Sequence, residues 1–202
     1  MIIAFEGVDG AGKTSLLHAS AALLRRRGRV TLRRLAYELV SLYQDLYDAE
    51  EDGRYQSELD PAFRHATYLA EAAVQMRRDA AAHAGFDYVL FDRWLQTHWA
   101  YLEPPAAHAS HYALLERTIP QPDLLVYVRV PAALALRRLV AKRDWMVARF
   151  GERELARRLE LLVRRYDELF GGSSAIVVDG ARTTAALADV VADRVASMVP
   201  AR

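Results

Sequence analysis

The stretch FEGVDGAGKTSLL, Phe5 to Leu17, carries the spacing Gly7-x-x-x-x-Gly12-Lys13-Thr14. Glycines so placed let successive backbone N–H groups turn inward on phosphate oxygens, and a helix starting at the lysine adds positive potential. Lys13 would bring a mobile charge to the terminal phosphates. The Thr14 hydroxyl suits a Mg²⁺ ion bridging them, and Gly10, Ala11, Gly12 and Ser15 would form the rest of the cradle. The chemistry implied is the binding of ATP or another nucleoside triphosphate with its metal.

Such a loop needs a strand to deliver it and a helix to leave it. Met1–Glu6 is short and apolar, and Leu16, Leu17, Ala21 and Leu24 recur at helix-face spacing until Gly28. RVTLRRL (29–35) fits a second strand, completing the usual setting of a phosphate loop. Residues 37–52 are expected to be helical, ending in the acidic DAEEDG. Pro61 opens a long helix through Phe63, Thr67, Ala70, Val74 and Arg77, and Gly85 stops it. FDYVLFDRW then reads as a third, buried strand ending at Asp92. EPPAAH is a break, HYALLERT a helix and QPDLLVYVRVP a fourth strand, with Pro131 opening the next helix. Leu155, Leu159, Leu162, Val163, Tyr166 and Leu169 mark a further helix. GGSSAIVVDG gives a turn and a fifth strand, and Leu187, Val190, Val191 and Val195 line a last helix. Strands alternating with helices predict an α/β fold with a parallel sheet covered on both faces.

Bulk properties narrow the setting. A content of 52% hydrophobic and 26% charged residues suits a globular chain, and 202 residues suffice for one α/β domain. The net charge of +1 supplies no field for nucleic acid or anionic membrane. Without cysteine there is neither disulfide nor thiolate metal site. No apolar run has the length of a membrane span, and the N-terminus lacks a basic leader. The expectation is a cytoplasmic protein with no membrane or nucleic-acid partner.

A triphosphate site fits either a nucleotide switch or a small-molecule kinase. Further motifs favour the second. FEGVDGAGKT has an aspartate inside the loop, and FDRWLQTHWAY, PDLLVYVRVP and ARFGERE follow in order. Together these resemble the thymidylate kinase family: its loop, its Asp-Arg-Tyr segment, its Pro-Asp-Leu-x-x-Tyr-Leu strand and its Asp-Arg-Phe-Glu lid. The resemblance implies a three-layer P-loop kinase fold with a five-stranded parallel sheet and an arginine-containing lid at about 142–154. It also implies ATP and Mg²⁺ as cofactors, a nucleoside monophosphate as acceptor, and a homodimer.

By the same resemblance Asp9 would accept from the acceptor's sugar hydroxyl, Arg93 would hold the acceptor's phosphate, and Asp92 would join Thr14 at the metal. The loop itself contains no arginine, so the cation for the transferred phosphoryl would come from the lid. Arg149 matches the lid motif best, with Arg143 and Arg153 beside it; Arg149, Arg153, Arg157 and Arg164 are expected on one helical face. Tyr101 matches a tyrosine beside the sugar. Tyr37, Tyr68, Gln75, Thr97 and His98 complete the expected acceptor contacts.

The departures gather on the acceptor side. An ungapped match puts Ala72 where the family has a thymine-reading arginine, a loss of about 1.5–3 kcal/mol per charge-assisted hydrogen bond. Trp94 replaces a tyrosine, and Thr97, His98 and Trp99 stand where small or amide residues are usual. Ala148 and Gly151 replace acids in the lid, and Arg129 replaces the aspartate of the fourth strand. The expectation is phosphoryl transfer to dTMP or a related or modified pyrimidine nucleotide. The alternatives are a nucleoside or small-molecule kinase acting on a hydroxyl, and a paralogue that binds nucleotide without turnover.

Overall fold

The computed structural model describes residues 1–35, 61–101, 113 and 117–198. The helix expected over 37–52, Tyr37, the EPPAAH break and most of HYALLERT lie outside the described residues. The elements in chain order are β1 (Ile2–Glu6), α1 (Lys13–Leu24), β2 (Val30–Arg33), α2 (Pro61–His83), β3 (Tyr88–Asp92) and α3 (Leu95–Tyr101). They continue with β4 (Leu124–Arg129), α4 (Ala132–Ala141), α5 (Trp145–Phe170), β5 (Ile176–Asp179) and α6 (Thr184–Met198). The expected five-stranded parallel sheet is present, in the order β2-β3-β1-β4-β5.

The layering follows from the two-residue period of a strand. Ile3 and Phe5 point into the cluster shared with α1, α4, α5 and α6, while Ala4 between them faces the cluster under α2 and α3. On β3 the same alternation sends Tyr88 and Leu90 one way and Val89 and Phe91 the other. Strands buried on both faces therefore read as unbroken apolar runs. Outside the sheet, α1 packs on α6 and α5 packs on both α4 and α3.

The sheet order also fixes where chemistry can happen. From the central β1 the chain reaches β3 on one side and β4 on the other. Glu6 pairs in register with Tyr127, and Phe5 with Asp92, so three strand ends meet at the loop. That reversal of direction opens a crevice at the C-terminal edge, the general ligand position in such sheets.

Two boundaries differ from the sequence reading. The second strand is shorter than 29–35, covering Val30–Arg33. The lid region is the start of α5, capped by Asp144, whose carboxylate accepts from the Met146 N–H at 3.1 Å. Gly151 interrupts this helix with φ 70° and ψ 157°. Among the described residues no helix is long and apolar enough to cross a membrane.

Candidate active site

The loop between β1 and α1 is shaped by what surrounds it. Gly7 has φ 140°, and a Cβ there would lie 2.6 Å from the Val128 carbonyl oxygen of β4. Gly10, at φ 80°, would place a Cβ 2.5 Å from the Ala135 carbonyl oxygen of α4. Neither position accepts a side chain without moving backbone. Arg138 of α4 then ties the loop down. Its Nη1 donates to the carbonyls of Gly10 at 3.2 Å and Ala11 at 3.0 Å, and its Nη2 to Gly180 at 2.8 Å. Gly12 caps α1, so Lys13, Thr14 and Ser15 form its first turn. The Lys13 ammonium is buried and donates to the Val8 carbonyl at 2.9 Å. Burial, joined by the like charge of Arg93, lowers its pKa to about 8.

Across the crevice, β3 ends at Asp92, whose carboxylate accepts from the Thr14 hydroxyl at 2.6 Å. The next residue, Arg93, has φ 76°. A left-handed non-glycine residue costs roughly 1–2 kcal/mol and persists only where its surroundings hold it. Here they do. Its guanidinium forms an ion pair with Asp9, donates to the Thr97 hydroxyl at 3.3 Å and lies 5.6 Å from the Tyr101 ring centroid. The Tyr101 hydroxyl donates to the other Asp9 oxygen at 2.6 Å. Burial opposes the charge of Asp9, but Arg93, Lys13 and the Tyr101 hydroxyl outweigh it and keep the carboxyl ionised below its usual range. Burial raises the Tyr101 phenol far above its usual range, so it stays a neutral donor.

Asp9, Lys13, Thr14, Asp92, Arg93, Thr97 and Tyr101 therefore lie together in one crevice. Thr97 has a different place in it from an acceptor contact. It is buried, and its hydroxyl is taken by Arg93, Glu6 and Tyr166. His98 is buried as well and stacks on Tyr68 of α2, centroids 5.2 Å apart. Gln75 follows two turns after Tyr68 and is half-buried.

Ala72 is only 1% exposed and belongs to the apolar cluster of Leu69, Met76, Phe91 and Trp94. An arginine there would displace packed side chains rather than enter open space. Trp94, the replacement for a tyrosine, is wholly buried and meets Phe91 edge-on at 4.7 Å.

The arginines expected in the lid face solvent. Arg143, Arg149 and Arg153 are exposed, and among the described residues none bonds to the loop. Arg149 lies over the Phe150 ring at 5.6 Å. The break at Gly151 separates it from Arg153, so the expected single face of Arg149, Arg153, Arg157 and Arg164 does not form. The other departure finds a partner. Arg129 makes a two-pronged pair with Asp167 of α5, both bonds 2.8 Å long. With Arg129 59% exposed, this pair is worth at most about 1 kcal/mol, a tether more than a support.

Two residues escaped sequence reasoning. Arg138 carried a signal: it adjoins Leu139 and follows Ala135 by three, which turns it toward the core side of α4. Glu6 carried a stronger one, an acid closing an otherwise apolar strand, and it is 0% exposed.

Known proteins share this arrangement of sequence. A family description named Thymidylate kinase matches residues 5–191. A thymidylate kinase of Xanthomonas campestris pv. campestris is 31% identical over 147 residues, covering 71% of this chain and 62% of that protein. A probable thymidylate kinase of Staphylothermus marinus is 27% identical over 163 residues, 80% of this chain and 76% of the relative. One of Mycobacterium tuberculosis is 29% identical over 152 residues, 67% and 68% of the two chains. The match thus spans under two thirds of the length of the Xanthomonas protein.

Proposed function

The chain belongs to the thymidylate kinase family, and from that premise we propose that it transfers the γ-phosphoryl group of ATP to dTMP. An oxygen of the acceptor phosphate forms a bond to the γ-phosphorus while the bond to the β–γ bridging oxygen breaks. ADP leaves and the acceptor becomes a diphosphate. No proton needs to move, because the attacking oxygen is already an anion.

The observation that carries this reading is the state of the carboxylates around the loop. Asp92 is held by Thr14, Asp9 by Arg93 and Tyr101, and Glu6 is enclosed. Transfer to a sugar hydroxyl favours a carboxylate free to take its proton. Among the described residues around the loop, Asp9 and Glu6 have both oxygens engaged, and Asp92 accepts from Thr14 through one.

Two anions must approach each other, so positive charge and alignment supply the catalysis. Lys13 serves the β- and γ-phosphates with the N–H groups of Gly10 to Ser15. Arg93 holds the acceptor phosphate, kept in place by Asp9, which also faces the sugar with Tyr101. The Thr14 hydroxyl and Asp92 carboxylate are hard oxygen donors in contact, a set that suits Mg²⁺ among phosphates and water. These two residues would hold the ion, which screens phosphate charge when bound. Residues 142–154 act as the lid, and Arg149, Arg143 and Arg153 reach the phosphates on closure across the Gly151 break. His98 and Tyr68, with Gln75, approach the base.

ADP release from MgATP, followed with dTMP and with thymidine as acceptors, tests the reading. The expected result is release with dTMP and little with thymidine. The reverse would move the acceptor from phosphate to hydroxyl, and release with neither would remove the assignment.

A further inference from the structure

Glu6 directly precedes the phosphate loop, yet the chemistry above leaves it unused. An enclosed carboxylate is tolerated only with hydrogen bonds on both oxygens. Its Oε1 accepts from the backbone N–H groups of Trp94 at 2.6 Å and Thr97 at 3.2 Å. Its Oε2 accepts from the Thr97 hydroxyl at 2.7 Å and the Tyr166 hydroxyl at 3.1 Å. Thr97 and Tyr166 oxygens are 2.9 Å apart. Thr97 gives its own hydrogen to Glu6, so the Tyr166 hydrogen is shared between carboxylate and threonine.

The partners span three parts of the fold. Trp94 directly follows the left-handed Arg93, and Thr97 lies in the first turn of α3. Tyr166 lies on α5, the helix that begins with the lid arginines. The neighbouring Arg165 donates to the Ala100 carbonyl at 2.9 Å, so α5 grips α3 at both ends. The next residue of α5, Asp167, is held by Arg129 and by the Tyr127 hydroxyl at 2.9 Å.

We propose that Glu6 is a positioning residue that holds Arg93 in its left-handed conformation and, through Tyr166, ties that arginine's segment to the lid helix. The kinetic consequences rest on the reading of Arg93 as the acceptor's phosphate holder; the mechanical ones do not. Tyr166→Phe removes one hydroxyl and keeps the ring packed against Tyr127 and Phe170. Glu6→Ala empties the junction. Glu6→Gln keeps an oxygen for the two N–H groups and can donate to Thr97 or Tyr166 in place of accepting.

The experiment is hydrogen–deuterium exchange on the full chain, paired with steady-state kinetics using MgATP and dTMP. Tyr166→Phe is expected to speed exchange across 93–101 and 145–153 while distant strands keep their rates. It should raise the KM for dTMP about tenfold and leave MgATP affinity, measured without acceptor, within about twofold. Glu6→Gln should recover most of what Glu6→Ala loses. Faster exchange confined to the turns around residue 166 would overturn the proposal. So would a glutamine variant as impaired as the alanine one, since charge rather than geometry would then matter. If the unaltered protein uses no monophosphate, the functional reading falls, and the exchange pattern still decides whether Glu6 and Tyr166 hold the segment.

Discussion

The two walls of the crevice are built by different means. On the side we assign to the triphosphate, form comes from backbone: Gly7 and Gly10 lie so close to β4 and α4 that their shape is set by exclusion, and Arg138 fastens carbonyls. On the side we assign to the acceptor, form comes from side chains. Asp9, Arg93, Thr97 and Tyr101 hold one another, with Glu6 and Tyr166 behind them. A backbone-built wall is fixed locally and tolerates little change, whereas a side-chain network can be re-tuned one partner at a time. The departures at Ala72, Trp94, Thr97, His98 and Trp99 fall on or behind the side-chain-built wall, those at Ala148, Gly151 and Arg129 do not, and the loop spacing is intact.

The largest loss is expected at Lys13. Lys13→Ala should reduce transfer by about a thousandfold or more with any acceptor, since the loop loses its charge toward the β- and γ-phosphates. Retained turnover in the steady-state assay would remove the triphosphate site from this wall. Its depressed pKa adds a signed test. The unfolded chain holds this proton more tightly than the folded one, so the contribution of Lys13 to stability without ligand should rise as pH climbs from about 8 to 10.5. A triphosphate favours the charged amine, and MgATP affinity should fall over the same window. Urea titrations of the native protein and of Lys13→Met at several pH values check the sign, because their difference removes the slope from tyrosines that titrate in the same range.

Arg93→Ala comes next and should separate the walls. A loss of about a hundredfold in kcat/KM for the acceptor is expected, with MgATP binding nearly unchanged. Equal losses for both ligands would mean that the walls are not independent.

Ala72→Arg probes the helix packed behind the side-chain-built wall. The sequence match suggests that it restores a base reader, but Ala72 is sealed among Leu69, Met76 and Trp94. Burying an unpaired guanidinium there should cost about 3 kcal/mol or more, read as a lower denaturation midpoint. A stable variant with better use of dTMP would show that this helix face opens onto the acceptor. The smallest effect belongs to Arg129→Ala, which should lower stability by about 1 kcal/mol or less in urea titration, because the pair with Asp167 is exposed.

How legible each wall was in the sequence follows from the same contrast. The loop announces itself because glycines, lysine and threonine lie within a few residues. The sheet was legible because its doubly buried strands are apolar runs between regular helices. The support of the acceptor wall was not, because its partners are distant in sequence: 160 positions separate Glu6 from Tyr166, and 128 separate Gly10 from Arg138. Spacing within a motif does not reveal such pairs. Arg129 looked like a reversed charge until Asp167, 38 positions later, appeared beside it. The kink at Gly151 was hidden for another reason: the leucine period after it continues smoothly, while its own backbone takes a positive φ.

The most direct measurement is the phosphorus NMR spectrum of MgATP and dTMP incubated with the protein. The account predicts the paired resonances of a new nucleoside diphosphate growing mole for mole with ADP. Inorganic phosphate growing in their place, with dTMP untouched, would contradict it.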